Sequence, residues 1–374
     1  MDTTFKAIAT LVGTTIGAGM FGIPFVVSKI GFFPGLVYLV VLSILNLVLN
    51  LVYGEITLRT PGDRQLTGYG EIYLGKAGKT LATITLIFAL YGALLAYLIK
   101  IGDFLGLIFG IENHLISTLL FFVFAAFSIY FGLRSVSFFE VLITIFLLGL
   151  VFLVFILGFP KIDFNNFAGT DISFLLLPYG VIFFALHGFS VIPEMEEILR
   201  KEPQKLKKAI IIGSLIPLFV YILFTIAIVG ICGSSTTDDA ILGLTLFLPS
   251  FIVNIGAILG VLAMGSSFLT VGYVLREVWF RDFKVPEFLS FLLACFPSLI
   301  LFLAGAKSFI PVLGITGAVS GGLNGILILN IFRKVKRIGI KEPAYSLNLP
   351  RILLVILFLI FLLGALSPFI RISH

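Results

Sequence analysis

Residues 13–24 read GTTIGAGMFGIP and place glycines, threonines and a proline inside an apolar run that extends from Phe5 to Val27. Glycines let a helix unwind at little steric cost, and Pro24 has no backbone donor. In hydrocarbon, unwound backbone persists only where it lines a cavity or where a ligand replaces the lost hydrogen bonds. The segment therefore predicts free N–H groups, which suit a carboxylate, and free carbonyls, which suit an ammonium or a metal cation.

A second segment, FFALHGFSVIPE at 183–194, has a related pattern. In both segments a glycine is followed, after three residues, by Ile-Pro, with the glycines at Gly19 and Gly188. Two interrupted helices can offer one N-terminus and one C-terminus to the same zwitterion, a geometry that suits an α-amino acid. The alternative is a pair of kinked helices whose glycines allow close packing.

The composition predicts the elements that must position these two segments. The chain has 374 residues, of which 59% are hydrophobic and 12% charged, too little polar surface for a soluble globular protein of this size. Apolar runs long enough to cross a bilayer recur along the whole chain, so we expect an all-α polytopic membrane protein. The eleven predicted spans are 5–28, 34–58, 80–101, 114–133, 137–159, 172–193, 209–232, 244–275, 286–304, 308–332 and 349–370.

The distribution of basic residues predicts the orientation of these spans. Of 25 lysines and arginines, 20 fall on the side that also holds the N-terminus and 5 on the other, so we expect a cytoplasmic N-terminus and an external C-terminus. The net charge of +6 then reflects topology and anionic lipid, not nucleic acid.

The two interrupted spans are predicted to run in opposite directions and lie five spans apart, as in an inverted five-plus-five repeat. We expect one transmembrane domain over 1–374, with the first repeat at 5–160, the second at 172–333 and an extra helix at 349–370.

The motifs resemble those of one transporter superfamily. GTTIGAGMFGIP resembles the first helix of the aromatic and hydroxy amino acid permeases and of the amino acid/auxin permeases. AYLIKIGDFL (96–105), FFALHGFSVIPE, EEILRKEPQKLKKAI (196–210) and SSFLTVGYVL (266–275) resemble later segments of amino acid–polyamine–organocation permeases, in the right order. The resemblance implies the LeuT-type inverted-repeat fold, with helices 1 and 6 broken and eleven helices.

The resemblance also implies a substrate site at the two breaks. Backbone of the first break would hold the carboxylate and part of the amino group, and the second would supply carbonyls and side-chain contacts. The candidate substrate-binding residues are Thr14, Thr15, Ile16, Gly17, Ala18, Gly19, Tyr91, Phe183, Phe184, Ala185, His187 and Gly188.

Two of these candidates have alternative interpretations. His187 is the only histidine in the interior of a predicted span, since His114 is the first residue of its span, so we expect ligand contact or proton coupling, against a neutral ring hydrogen-bonded to backbone. Tyr91 or Tyr97 could close the pocket with a hydroxyl, or anchor a helix interface.

A coupling ion is implied by an adjacent serine pair. In sodium-coupled proteins of this fold such a pair on helix 8 faces carbonyls of helix 1, and hard oxygen ligands suit an alkali cation. The matching residues are Gly13, Ile16, Ala263, Ser266 and Ser267. Gly13 stands where sodium-coupled neutral amino acid transporters have asparagine, whereas proton-coupled aromatic permeases have glycine, so sodium and proton both stay open. Serines that merely pack against span 1 are the third alternative.

These observations predict a symporter of the cell membrane, and not an enzyme, because no catalytic pair of side chains lies within the spans. We expect a neutral L-amino acid substrate, aromatic or bulky and apolar, moved by alternating access. The expected partners are this substrate and the bilayer, with no cofactor besides a sodium ion or proton, and the chain is expected to act as a monomer. The alternatives are an amino acid sensor on the same fold, or an exchanger or uniporter without ion coupling.

Overall fold

The computed structural model describes residues 2–62, 64–131 and 137–370, and this part of the chain is helical without any β-strand. Short turns and 3₁₀ segments join the helices. The α-helices are α1 (Thr3–Thr15), α2 (Gly19–Ile30), α3 (Phe32–Arg59), α4 (Leu66–Phe109), α5 (His114–Tyr130), α6 (Ser137–Gly158), α7 (Leu177–Ala185), α8 (Ile192–Ile198), α9 (Leu206–Cys232), α10 (Ser250–Glu277), α11 (Glu287–Leu303), α12 (Phe309–Ile338) and α13 (Arg351–Leu366).

The helices agree with the predicted spans in position and in apolar character. Among the described residues eight helical segments are long and apolar enough to cross a membrane, and the pair α1 and α2 also qualifies although it is bent by 58°. Two further apolar helices, α5 and α11, have 17 residues each. The count of eleven crossings and the sidedness of the termini stay predictions. Residues 132 and 133 of the fourth predicted span, and Arg134 and Arg371 of the charge count, lie outside the described residues.

The centre of the molecule is held together by contacts between small residues. α12 packs against α4, α7 and α13. At the contact with α7, a methyl group on Gly180 would strike the backbone of Gly314, and one on Gly317 would strike the backbone of Gly180. Such small residues let helix backbones approach closely where lipid supplies no hydrophobic driving force between helices. α12 thereby supports the helix that carries the second break.

At the end of α4 that the charge count predicts to be external, a buried lysine forms ion pairs with three aspartates. The Lys100 ammonium lies 2.8 Å from a carboxylate oxygen of Asp103, 2.9 Å from Asp238 and 3.5 Å from Asp239. Lys100 and Asp239 are almost completely buried. Asp239 also accepts hydrogen bonds from the Leu242 N–H and the Thr237 hydroxyl. This cluster joins α4 to the segment between α9 and α10.

At the opposite end of the molecule, a buried glutamate joins α3 to α12. The Glu55 carboxylate on α3 is fully buried and lies 2.7 Å from Arg59 and 2.9 Å from Lys336 of α12. It also accepts a 2.6 Å hydrogen bond from the Leu347 N–H, and the Tyr345 hydroxyl donates to the Leu51 carbonyl at 2.7 Å. The segment between α12 and α13 therefore lies across the end of α3 and covers this carboxylate.

Replacing Lys100 with methionine should destabilise the protein in a pH-dependent way. The variant leaves Asp239 buried without its cation, which we expect to cost about 3 kcal/mol or more of unfolding free energy. Burial raises the pKa of Asp239, against the opposing effect of Lys100. A carboxyl whose pKa is raised on folding binds its proton more tightly in the folded state, so stability falls as the pH rises through that pKa. The measurement is the melting temperature of detergent-solubilised K100M at pH 5 and at pH 8, and we expect the loss to be larger at pH 8.

Lys307→Met is the matched control, because it makes the same change at an exposed lysine near the same end of the molecule. We expect its melting temperature to stay close to that of the unmodified protein at both pH values. Equal losses in K100M and K307M would contradict the assignment of Lys100 as the cation that compensates Asp239.

Candidate functional site

The predicted break in the first span is confirmed at residues 16–18. α1 ends at Thr15, and Ile16 has φ −81° and ψ 99°, an extended conformation in which its N–H still donates to the Val12 carbonyl at 2.9 Å. The next helix begins at Gly19 in a new direction. The helix breaks here because glycine loses helical conformation easily and because the two threonines compete for backbone carbonyls. The Thr15 hydroxyl, for example, donates to the Leu11 carbonyl at 2.7 Å.

The start of α2 carries unused backbone donors. Met20 and Phe21 donate at 3.2 Å to the carbonyls of Gly17 and Ala18, whereas the N–H groups of Gly17, Ala18 and Gly19 reach no acceptor among the described residues. A methyl group built on Gly17 would find no atom within 4 Å. Free N–H groups beside open space at a helix N-terminus form a suitable place for a carboxylate.

The end of α1 carries unused acceptors. No donor among the described residues reaches the carbonyls of Gly13 or Thr14. Because these carbonyls lie in the last turn of a helix, they carry partial negative charge and suit an ammonium group or a cation. The first break therefore presents both kinds of backbone group within seven residues of chain.

The predicted break in the sixth span is also confirmed. α7 ends at Ala185, a 3₁₀ turn follows at Phe189–Val191, and α8 begins at Ile192. The Leu186 carbonyl accepts the Gly188 N–H at 2.8 Å and the Asn46 side-chain amide of α3 at 3.1 Å. A buried asparagine thus replaces a lost helical partner at this break.

Two glycines bring the breaks into direct contact. A methyl group on Gly19 would lie 2.5 Å from the Ala185 Cα, and one on Gly188 would strike the Thr15 hydroxyl. The contact at Gly19 is with backbone atoms of Ala185, which cannot rotate away as a side chain can. The four predicted site residues Thr15, Gly19, Ala185 and Gly188 therefore lie together, as a site shared between the two spans requires.

Tyr221 of α9 bridges the two breaks and was not among the predicted site residues. Its hydroxyl oxygen lies 2.7 Å from the Thr15 carbonyl oxygen and 2.9 Å from the Ala185 carbonyl oxygen. These are the last residues of α1 and α7, and no backbone N–H in the described chain donates to either oxygen. The available signal was a tyrosine within an apolar span, since a buried phenol usually has a hydrogen-bond partner.

The side chains near the break in the sixth span differ in how deeply they are buried. Phe183 is buried and packs against Tyr179 and against Phe361 of α13, with ring centroids 4.8 and 5.7 Å apart. Phe184 is partly buried. His187 is partly buried as well, and its ring lies 4.5 Å from that of Phe189. Within the described residues no side-chain hydrogen bond to the His187 ring is formed.

Tyr91 lies at a helix interface. Its hydroxyl donates to the Leu293 carbonyl of α11 at 2.6 Å and accepts a hydrogen bond from the Trp279 indole at 3.2 Å. These two hydrogen bonds agree with the alternative in which Tyr91 anchors a helix interface, because its hydroxyl already has both a donor and an acceptor.

The candidate ion ligands lie on two helices, α1 and α10, that both pack against α6. α10, which carries Ser266 and Ser267, packs on α4 and α6, whereas α1 packs on α9, α8 and α6. The Ser266 hydroxyl donates to the Ala263 carbonyl at 3.0 Å, and Ser267 is partly buried. A methyl group on Gly13 would lie 3.8 Å from the Thr144 hydroxyl of α6. The sodium site composed of Gly13, Ile16, Ala263 and the two serines stays a prediction.

Comparisons with known proteins support this description. The profile of the tryptophan/tyrosine permease family matches residues 1–367. The tyrosine-specific transport system 1 of Haemophilus influenzae is 28% identical over 96% of this chain and 95% of its own length. The tryptophan-specific transport protein of Pseudomonas aeruginosa is 26% identical over 93% of this chain and 90% of its own length. The matched family is thus one of amino acid permeases, named for tryptophan and tyrosine rather than for the amino acid/auxin group.

A solved structure gives the fold. The crystal structure of MhsT in complex with L-phenylalanine superposes with a TM-score of 0.68, 16% identity and 97% coverage of both chains. At this identity the likeness shows the LeuT-type fold alone. The family and its relatives are transporters and not enzymes, and the chain is a multi-pass protein of the cell membrane.

The contact between the breaks predicts different effects for substitutions at two neighbouring glycines. Gly19→Ala forces a methyl group against the Ala185 backbone, and we expect a loss of about 1–3 kcal/mol of unfolding free energy. Gly17→Ala adds the same methyl group in open space and should change stability by about 0.5 kcal/mol or less. The measurement is the melting temperature of each purified variant. Equal destabilisation by the two substitutions would contradict the observed contact between the breaks.

Proposed function

Because the chain belongs to the tryptophan/tyrosine permease family, we propose that it is a secondary active transporter for a neutral L-amino acid with an aromatic or bulky apolar side chain. The observation that carries this proposal is the contact between two broken helices, which gathers free N–H groups and free carbonyls in one place. The full-length similarity to tyrosine- and tryptophan-specific transporters supports the aromatic class of substrate.

In the proposed complex the backbone of the first break binds both charged groups of the substrate. The carboxylate accepts hydrogen bonds from the N–H groups of Gly17, Ala18 and Gly19, at the positive end of the α2 dipole. The ammonium donates to carbonyls in the last turn of α1, among them Thr14 and Thr15. This arrangement explains why backbone supplies the charged contacts, since every α-amino acid carries the same two groups.

The substrate side chain is proposed to lie against the sixth span. Phe184 and His187 are partly buried, so they keep surface that a ring can cover, whereas Phe183 is already enclosed by Tyr179 and Phe361. Offset or edge contacts with Phe184 would favour an aromatic side chain. The His187 ring, which has no hydrogen-bond partner among the described residues, is available to a substrate hydroxyl or to a proton.

Transport requires each end of the molecule to open in turn. We propose that the Lys100 cluster closes one end and the Glu55 cluster the other. The first cluster joins α4 to the segment between α9 and α10, and the second joins α3 to α12 and to the segment after α12. Each would have to separate when its end of the molecule opens. The protein is proposed to act as a monomer, with the bilayer as its other partner.

The driving ion is proposed to be a proton or a sodium ion. A proton is favoured by Gly13, which stands where the sodium-coupled neutral amino acid transporters usually have asparagine, and by the unpaired ring of His187. Sodium is favoured by Ser266 and Ser267 on α10. The two alternatives differ in which gradient drives uptake.

The test of the proposed function is uptake by purified protein in liposomes. We expect accumulation of radiolabelled tyrosine or tryptophan under an imposed gradient, with much weaker competition by glutamine, lysine and glutamate than by phenylalanine. Gradients of protons and of sodium are imposed separately. Absence of uptake under both would contradict symport: binding without uptake would favour a sensor, and counterflow alone an exchanger.

Gly17→Ala provides the matched variant for this assay. Because its methyl group enters the open space beside the free N–H groups, we expect folded protein whose apparent affinity for substrate is reduced about tenfold or more. The comparison is with Ala18→Gly, which adds no atom in the same segment. Normal affinity in G17A would argue that the carboxylate binds elsewhere.

The serine pair gives a prediction specific to the sodium alternative. If sodium drives uptake, Ser267→Ala should raise the sodium concentration needed for half-maximal uptake about tenfold, since it removes a hard oxygen ligand. The proton gradient should then drive neither protein. Uptake by the unmodified protein with no sodium present would rule out the sodium site, and S267A should then have the same KM for substrate.

A further inference from the structure

Tyr221 lies at a point where two helices end. α1 ends at Thr15 and α7 at Ala185, and the last carbonyl oxygen of each lies within hydrogen-bond distance of the Tyr221 hydroxyl, at 2.7 and 2.9 Å. The tyrosine is almost fully buried, and its helix, α9, packs against α1, α2 and α3. The hydroxyl therefore contacts both breaks from a third element.

The electrostatics of this point are those of a cation site. Helix C-termini carry partial negative charge, and here two of them converge with their terminal carbonyls on one atom. A bound cation is one way to stabilise such a pair of oxygens. In this chain the phenol supplies the positive end of an O–H dipole in the same place.

We infer that Tyr221 is a positioning residue, whose phenol takes the place of a cation between the two helix C-termini and holds their carbonyls where they receive the substrate's amino group. The inference rests on the proposed function, since it concerns how an amino acid is bound. It assigns to α9 a role that neither break can fulfil for itself.

The hydrogen-bonding capacity of the groups supports this role. A phenol has one proton and can donate fully to one carbonyl at a time, while each carbonyl oxygen has two lone pairs. The bridge therefore leaves acceptor capacity on Thr15 and Ala185 for an incoming ammonium. A charged donor forms a stronger hydrogen bond than the phenol does, so binding at these oxygens stays favourable with Tyr221 in place.

If Tyr221 had only a structural role, removing its hydroxyl would not selectively weaken the binding of the substrate's amino group. The breaks already touch through Gly19 and Gly188, so packing does not depend on the phenol alone. Removal of the hydroxyl should loosen the two carbonyls while the ring still fills its place. The expected consequence is weaker binding of the ammonium, with little change at the carboxylate.

The experiment compares Tyr221→Phe with Tyr179→Phe in liposomes and in detergent. Tyr179 is a matched control, because its phenol is buried too but has no hydrogen-bond partner among the described residues. Uptake of tyrosine gives KM and Vmax, and equilibrium competition gives the affinities for tyrosine and for desaminotyrosine, which keeps the ring and the carboxylate but lacks the amino group. Hydrogen exchange of peptides covering 13–20 and 184–190 is measured without substrate.

We expect Y221F to raise the KM and the dissociation constant for tyrosine about tenfold, with Vmax within about twofold of the unmodified protein. The affinity for desaminotyrosine should change by less than about twofold, so the preference for the amino group falls about tenfold. Hydrogen exchange should increase in both break peptides. Y179F should match the unmodified protein in every measurement.

Three outcomes would overturn the inference and leave the proposed function intact: an unchanged KM in Y221F, an equal loss of affinity for tyrosine and desaminotyrosine, or the same changes in Y179F. The second of these would assign Tyr221 a structural role only. If the unmodified protein neither binds nor takes up any amino acid, the proposed function fails, and the inference fails with it.

Discussion

A helix that stops inside a membrane leaves carbonyl and N–H groups without partners, and hydrocarbon offers no water to replace them. This constraint determines what can surround the two breaks. At Ala185 and Thr15 the missing donor is a phenol from α9, and at Leu186 it is a side-chain amide from α3. The polar side chains near the breaks therefore satisfy three specific backbone carbonyls that the interrupted helices leave without a helical partner.

The same constraint explains how the contacts at the centre of the molecule differ from those at its ends. Near the centre, contacts such as Gly19 with Ala185 bring backbone against backbone without adding any polar group. Ionic groups lie toward the ends, where Lys100 and Glu55 each have several partners of opposite charge or N–H donors. A buried charge is tolerated only with such compensation, so each cluster depends on all of its partners being in place.

The amino-acid sequence predicts the helices and both breaks, because apolar run length and glycine-proline patterns are local properties. Gly19 and Gly188 could be identified in this way. Tyr221 could not, because its partners lie 206 and 36 residues away, and a tyrosine in an apolar span shows that a partner is needed without showing which one. Tyr91 illustrates the same difficulty, since only the structure reveals the Leu293 carbonyl and the Trp279 indole that occupy its hydroxyl. The pairing of Lys100 with Asp239 is equally non-local.

The hydrogen bonds of Tyr221 also bear on which helices move together. A phenol that bonds the end of α1 and the end of α7 couples both helices to α9, and Asn46 couples α7 to α3. These bonds lie within a buried region, where breaking them would leave unsatisfied polar groups and cost far more than breaking exposed ones. Any helix motion that preserves these bonds carries α1, α3, α7 and α9 together. The contact of Gly180 with Gly314 and Gly317 on α12 differs in kind, because backbone packing forms it, whereas α3 is joined to α12 by the buried ion pair of Glu55 and Lys336.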